Sequence, residues 1–330
     1  MTTLRLVWAM LRYRAASLLV LFFLLAPALH GRLQGLRWQL VDGVLVLFAS
    51  YVVATCLNDV FDYEVDRVNH PGAKERPLVT GAASPRRLVV MAVVLALLSI
   101  VLAALIGPLA LCAVAVSLCI NVLYSAPPVR LCSRPLAAAP VLAFAYVGVP
   151  YAIGLGSAGA ALEARDLQVV AALLLLFAGR MLLKDFRDRR GDALFGKRTF
   201  LLVHGKGATI AAVLICVLAG DALLAGVLPS PVLIAVVQGY FAVIAFELYR
   251  LAKSGPGEEE LAAIARGARM GNAVILTWLG WSLLPASEAN VLAVALAALY
   301  WLVYLLPASP AATATTAARE ATAPEAARAS

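Results

Sequence analysis

The sequence is poor in charge, in histidine and in paired cysteine. Only 14% of its 330 residues are charged, where a soluble domain carries about a quarter. The three histidines, His30, His70 and His204, lie far apart. The five cysteines (Cys56, Cys112, Cys119, Cys132 and Cys216) form no CxxC pair and fall mostly inside apolar stretches, where cysteine is a small packing residue. No metal site built on nitrogen or sulfur ligands is suggested. What dominates is apolar sequence, at 63% hydrophobic residues and a mean hydropathy of +0.90. A soluble chain of this size has no interior large enough to hide that surface.

Apolar runs of about twenty residues, the length that spans a bilayer as helix, recur at 15–30, 39–58, 87–106, 109–125, 136–156, 167–184, 207–228, 231–250 and 268–285. A further run at 290–306 is a tenth candidate. The sequence therefore predicts an all-α, polytopic membrane protein of nine or ten helices. The N-terminal run reads as the first span rather than as a cleaved signal, because no A-x-A site follows a short apolar core. One transmembrane domain is expected over 1–308, followed by a disordered Ala/Thr-rich tail over 309–330.

Placing the N-terminus in the cytoplasm puts most of the basic residues inside. These are Arg5, Arg12 and Arg14; Arg67, Lys74, Arg76, Arg86 and Arg87; Arg130 and Arg134; the stretch from Lys184 to Lys206; and Arg250, Lys253, Arg266 and Arg269. Only Arg32, Arg37 and Arg165 fall outside. The asymmetry sets the orientation and points to the cell membrane. It also accounts for the net charge of +8 through affinity for anionic membrane lipids. Nothing points to nucleic acid.

Six of the nine aspartates stand in two clusters, Asp59/Asp62/Asp66 and Asp185/Asp188/Asp192. Each has i, i+3, i+7 spacing, which puts its carboxylates on one helical face. Asn58, four before Asp62, lies near the first face. Four spans separate the clusters, so both are expected on the cytoplasmic side, as in a chain of two similar halves. Like charges at this spacing repel, and a divalent cation removes that cost. Oxygen donors select magnesium, which uses one or two carboxylates plus phosphate oxygens. Two facing clusters are thus suited to a magnesium-bridged diphosphate. The plainer reading, acidic residues solvating helix ends, handles one cluster better than two matched ones.

Cations surround both clusters. Lys74 and Arg76 follow the first, with Pro77 and Gly81 marking a structured loop; Lys184, Arg187, Lys197 and Arg198 flank the second. They are suited to a departing diphosphate, although positive-inside bias alone also places cations here. A third segment, Asn121 to Leu131, ends a span at Pro127-Pro128 on the same side. Tyr124 and Arg130 would then face the mouth of the site. Tyr124 is either a phosphate or cation partner or an interfacial anchor.

With these motifs in order, NDxxDxxxD (Asn58 to Asp66), Arg76-Pro77 with Gly81, YSxPPxRL (Tyr124 to Leu131) and KDxxDxxxDxxxGxxT (Lys184 to Thr199), the chain resembles the UbiA superfamily of intramembrane prenyltransferases. The match covers well over half the chain. It implies nine transmembrane helices around a central cavity, an aspartate-rich pocket under cytoplasmic loops and a tunnel for the isoprenoid tail. By the same resemblance, Asn58, Asp62, Asp66, Asp185, Asp188 and Asp192 would bind Mg2+–diphosphate, with Asp59 as a direct or supporting ligand. Arg76, Arg130, Lys184, Lys74 and Lys197 would contact phosphate, and Tyr124 would line the reacting centre. The PPxRL and KDxxD segments look like the chlorophyll synthase, homogentisate prenyltransferase and archaeal lipid-ether branches. The stretch His70-Pro71 to Arg76-Pro77 looks like the decaprenylphosphoribose synthase branch. The expected reaction is transfer of a prenyl group from its diphosphate to an unidentified acceptor, with Asp62, Asp66, Asp185, Tyr124 and Arg76 at the chemistry. A membrane terpene cyclase, ionising the same donor without an acceptor, and a transporter using intramembrane acids are the alternatives.

Overall fold

In the computed structural model, which describes residues 2–33 and 38–305, the chain is helical, with no strand among the described residues. The expected tail over 309–330 lies outside them, as does Arg37. The helices are α1 (Thr3–Leu11), α2 (Tyr13–Leu29), α3 (Trp38–Phe61), α4 (Tyr63–Asn69), α5 (Pro85–Ile106), α6 (Pro108–Ser125), α7 (Ala138–Ala143), α8 (Val149–Ala158), α9 (Ala164–Leu194), α10 (Phe200–Ala225), α11 (Pro231–Lys253), α12 (Glu258–Trp281) and α13 (Ala286–Leu305). Their starts follow local chemistry. Ser84 and Ser230 cap α5 and α11, each followed by proline at the first helical position, where no amide is needed. Thr199 caps α10 by accepting the Leu202 amide.

All ten apolar runs fall on helices. Eight described helical segments are long and apolar enough to cross a membrane, and the pair α1–α2, bent by 66°, brings the total to nine. The helix on the run 268–285, α12, is not among them. It opens on Glu258, Glu259 and Glu260 and carries Arg266 and Arg269, so only its second half is apolar. The run at 290–306 is α13, and it does qualify. α5 shows why lipid is required: it has a mean hydropathy of 3.2, yet only 22% of its apolar window is buried within the bundle. The remaining apolar surface needs a hydrocarbon solvent.

Two boundaries matter for the site. α9 runs 31 residues, ten beyond the expected end of its span at Lys184. At 1.5 Å per residue that is about 46 Å, well over a hydrocarbon core of about 30 Å, so its C-terminal end projects from the bilayer. The span at 136–156 is one path broken by a wide π turn over Phe144–Gly148. There the Val149 amide bonds the Phe144 carbonyl, just before Pro150, which has no amide to donate.

The interior divides into two packed groups. One gathers α9 to α13 with α7; the other gathers α1, α3, α5 and α6; and both α2 and α8 serve the two, α2 through Leu18/Phe22 and Leu19/Phe23, α8 through Tyr151/Leu155 and Val149/Ile153. Close approach replaces hydrophobic drive inside a membrane. At Gly154 a Cβ would fall 2.1 Å from the Phe23 carbonyl oxygen, so only glycine lets α8 lie on α2.

Candidate active site

Between the two groups lies a cavity of about 870 Å³, walled by apolar side chains below and by Asn58, His70, Arg76, Tyr124, Lys184 and Arg187 at one end. Both aspartate clusters sit at that end. α4 packs on α9, and the Asn69 side-chain oxygen accepts the Gly191 amide at 2.7 Å. A Cβ at Gly191 would come within 2.6 Å of that oxygen, so this glycine sets how closely the clusters approach. Lys197, in the turn after α9, joins them directly, 3.6 Å from Asp62 and 3.5 Å from Asp192.

The first cluster does not lie on one uninterrupted helix. Asp62 leaves helical geometry at φ −104°, ψ 17°, ending α3 and starting α4, while amide bonds from Asp62 to Asn58 and from Asp66 to Asp62 keep the three carboxylates together. All three are buried. Asp59 is held by Arg12 and Arg76, the latter at 3.0 Å. Arg76 also donates to Asp66. Asp62 accepts from Arg130 at 2.7 Å and from Asn58 at 2.9 Å. Arg12 and Arg130 are the only non-glycine residues with positive φ among the described residues, at 44° and 42°. Such backbone is strained by about 1–3 kcal/mol and persists where surrounding contacts impose it. Here each strained residue delivers a guanidinium to a buried carboxylate.

The second cluster is laid out by one continuous helix. His70 Nε2 lies 3.2 Å from Asp188, which also has Arg187 at 3.3 Å and Lys184 at 3.8 Å. Asp192 has Lys197, and Asp185 has no basic group within 4.0 Å among the described residues. Asp185 instead lines a small pocket beside the main cavity, together with Tyr124 and Lys184.

Electrostatics separates neighbours in the first cluster. Burial would raise the Asp62 carboxyl, but Lys197 and Arg130 outweigh it and hold the group below its ordinary value. For Asp66 burial wins over Arg76, aided by repulsion from Asp59 and Asp62, and the carboxyl rises to about 7. Burial likewise lowers His70 despite Asp188.

Of the residues singled out from sequence, Asn58, Arg76, Tyr124 and Lys184 line the cavity, and Arg130 and Lys197 meet the clusters. Lys74 is exposed and does not line the cavity, although Ala73, Glu75 and Arg76 beside it do. Arg12, Asn69 and His70 take part in the cluster contacts and were not among the expected site residues; His70 had two local signals, its place at i+4 from Asp66 and at the head of the stretch running to Arg76-Pro77. Deeper in the cavity the π turn presents Tyr146, stacked on Phe177 at 5.2 Å between ring centres and 3.4 Å from the Tyr51 hydroxyl.

The donor set suits magnesium. It is all hard oxygen, and Asp59 Oδ2 is buried without a hydrogen-bond donor. No group of three or more His, Cys, Asp or Glu side chains forms a ready cage among the described residues. Magnesium shared between a few carboxylates and phosphate oxygens needs no such cage.

A sequence profile of the UbiA prenyltransferase family matches residues 16–270. The chain is 30% identical over 217 residues to the digeranylgeranylglyceryl phosphate synthase of Halobacterium salinarum, covering 66% of this chain and 70% of that one. Among solved structures, one from work on digeranylgeranylglyceryl phosphate synthase in membranes matches with a TM-score of 0.65 at 17% identity, over 84% of this chain and 98% of that one. A UbiA homologue from Archaeoglobus fulgidus bound to GPP and Mg2+ matches with a TM-score of 0.59 at 18% identity, over 91% and 97%. At these identities the structural likeness is one of fold. Together with the two aspartate motifs, the profile match over most of the length establishes that the chain belongs to the UbiA prenyltransferase family, as a multi-pass membrane enzyme that transfers prenyl groups from isoprenyl diphosphates.

Proposed function

We propose that the two clusters hold one Mg2+–diphosphate between them at the cytoplasmic mouth of the cavity, with the prenyl chain lying among the apolar walls. The observation that carries this reading is the bridge through Lys197, which meets Asp62 and Asp192 at 3.6 and 3.5 Å. One ligand at that point reaches both clusters. Asn58, Asp62, Asp66, Asp185, Asp188 and Asp192 are the candidate ligands. Asp59 holds Arg12 and Arg76 through Oδ1 and keeps Oδ2 free as a further candidate ligand. Magnesium, when bound, would supply positive charge to the departing diphosphate.

The protein's own part follows from its contacts. Arg130 and Lys197 neutralise Asp62 and are placed to turn toward phosphate oxygens once those carboxylates are otherwise engaged. Arg76 and Lys184 both line the mouth of the cavity. As the C1–oxygen bond breaks, positive charge develops on the prenyl group, and Tyr124 with the Tyr51–Tyr146–Phe177 wall offers π faces to it. The apolar cavity keeps water away until the acceptor attacks. A neighbouring carboxylate or the released diphosphate takes the acceptor's proton. Family membership favours transfer to an acceptor over cyclisation or transport.

The test is release of diphosphate and formation of prenylated product by the purified protein in lipid nanodiscs, with and without Mg2+. Asp62→Asn and Asp185→Asn are each expected to reduce the rate by about 100-fold or more, the scale of losing a group that stabilises the transition state. Undiminished rates in both would refute the assignment.

A further inference from the structure

Arg180 is the one charged residue of α9 between Asp166 and Lys184, and it lines the cavity one helical turn deeper than Lys184. Within a membrane span an arginine is costly unless it is paired or serves a ligand. No acidic side chain lies within 4.0 Å of it among the described residues, whereas Arg76, Arg130, Lys184 and Lys197 at the mouth each face a carboxylate. Its hydrogen bonds come from one terminal nitrogen only, to the Asn272 side-chain oxygen at 2.5 Å and the Ala268 carbonyl at 3.5 Å. Asn272 is itself a polar residue in the apolar second half of α12. The guanidinium is fixed further by the Phe177 ring, 5.9 Å from its central carbon. Room has been left beside it: Gly267 and Gly271 line the same stretch of cavity, and a Cβ at Gly271 would meet nothing within 4 Å.

A fixed, partly satisfied guanidinium with open space beside it is a fork for an oxyanion. The donor's diphosphate already has Arg76, Arg130, Lys184 and Lys197 at the mouth. We propose that Arg180, held by Asn272, is the anion-recognising subsite for the prenyl acceptor, which therefore carries a phosphate or carboxylate near its nucleophile. This rests on the transferase reading above and narrows the acceptor class within it.

Binding distinguishes the sources. The protein in nanodiscs is loaded with Mg2+ and geranyl S-thiolodiphosphate, a slowly ionising donor analogue, and titrated with hexyl phosphate, hexanoate or hexanol by microscale thermophoresis. Wild type is expected to bind one or both anions at least tenfold more tightly than hexanol. Arg180→Gln, which removes the charge, is expected to lose that preference, and Arg180→Lys to retain part of it. Which anion binds separates a phosphate from a carboxylate acceptor. Equal anion binding in wild type and Arg180→Gln, or no preference in wild type, overturns the proposal. So does a parallel loss of donor-analogue affinity in Arg180→Gln, which would assign the arginine to the diphosphate. Failure of the donor analogue to bind wild type with Mg2+ would instead count against the donor-site reading.

Discussion

The two aspartate clusters share one spacing but are built differently. The first sits where a helix breaks, at Asp62, and its partners come from four separate places: the α1–α2 junction (Arg12), the loop after α4 (Arg76), the loop after α6 (Arg130) and the turn after α9 (Lys197). The second lies on a continuous helix; Lys184 and Arg187 come from that helix, Asp192 has Lys197 just beyond it, and only His70 arrives from afar. The first is therefore a product of tertiary structure, with strained backbone at Arg12 and Arg130. The second is a product of helical periodicity. It leaves Asp185 with no basic group within 4.0 Å among the described residues. The proposed ligands therefore have two kinds of support: those of the first cluster are held by partners from four places, those of the second by one rigid rod.

The largest way to break this comparison is through the contact that joins the clusters. Gly191→Val drives a side chain into Asn69 and separates α4 from α9. Turnover should fall by about 100-fold, as misplacement of about 1 Å can cost, and thermal unfolding in detergent should show a loss of about 1–3 kcal/mol. Asn69→Ala on the wild-type glycine should be milder in both measurements.

Next in size are the arginines of the first cluster. Arg12→Gln leaves Asp59 with Arg76 alone. A stability loss of about 2–3 kcal/mol is expected, at or below the range for breaking a buried ion pair, together with weaker donor binding, read as a rise in donor KM. Arg187→Gln, beside Asp188 in the second cluster, should cost less than about 1 kcal/mol because Arg187 is half exposed and Asp188 keeps His70 and Lys184. Equal losses at Arg12 and Arg187 would erase the distinction between the clusters.

Arg130→Gly sharpens the account by separating strain from charge. Glycine accepts positive φ freely, so relief of strain offsets the lost Asp62 contact and the melting temperature should change little, while diphosphate release falls by about tenfold. The smallest effect belongs to Lys74→Ala. Its side chain is exposed and outside the cavity wall, so kcat/KM is expected to stay within about twofold.

How much of this was legible in sequence follows the same division. Helix number and the second cluster's layout were readable because both depend on apolar run length and on i, i+3, i+7 spacing along one helix. The break at Asp62 was not, because the uninterrupted pattern from Asn58 to Asp66 carries no proline or glycine. Arg12 was counted only among the basic residues of the inner face; nothing near it signals a left-handed turn or a partner 47 positions away. Tyr146 was hidden within an apolar run because Pro150 imposes a π turn that sequence periodicity does not show. α12 was assigned as a span from its apolar half, while its helix starts ten residues earlier at Glu258, where Glu260 pairs with Arg189 and Lys206.

The central claim is that both clusters serve one ligand, and a double-mutant cycle tests it most directly. Initial rates of Mg2+-dependent diphosphate release would be measured for wild type, Asp62→Asn, Asp185→Asn and the double variant. Groups that act as a unit are strongly non-additive. The account predicts that each single substitution removes most of the activity and that the double variant is little worse than either. Losses that multiply in the double variant, or a single variant that retains the wild-type rate, would contradict it.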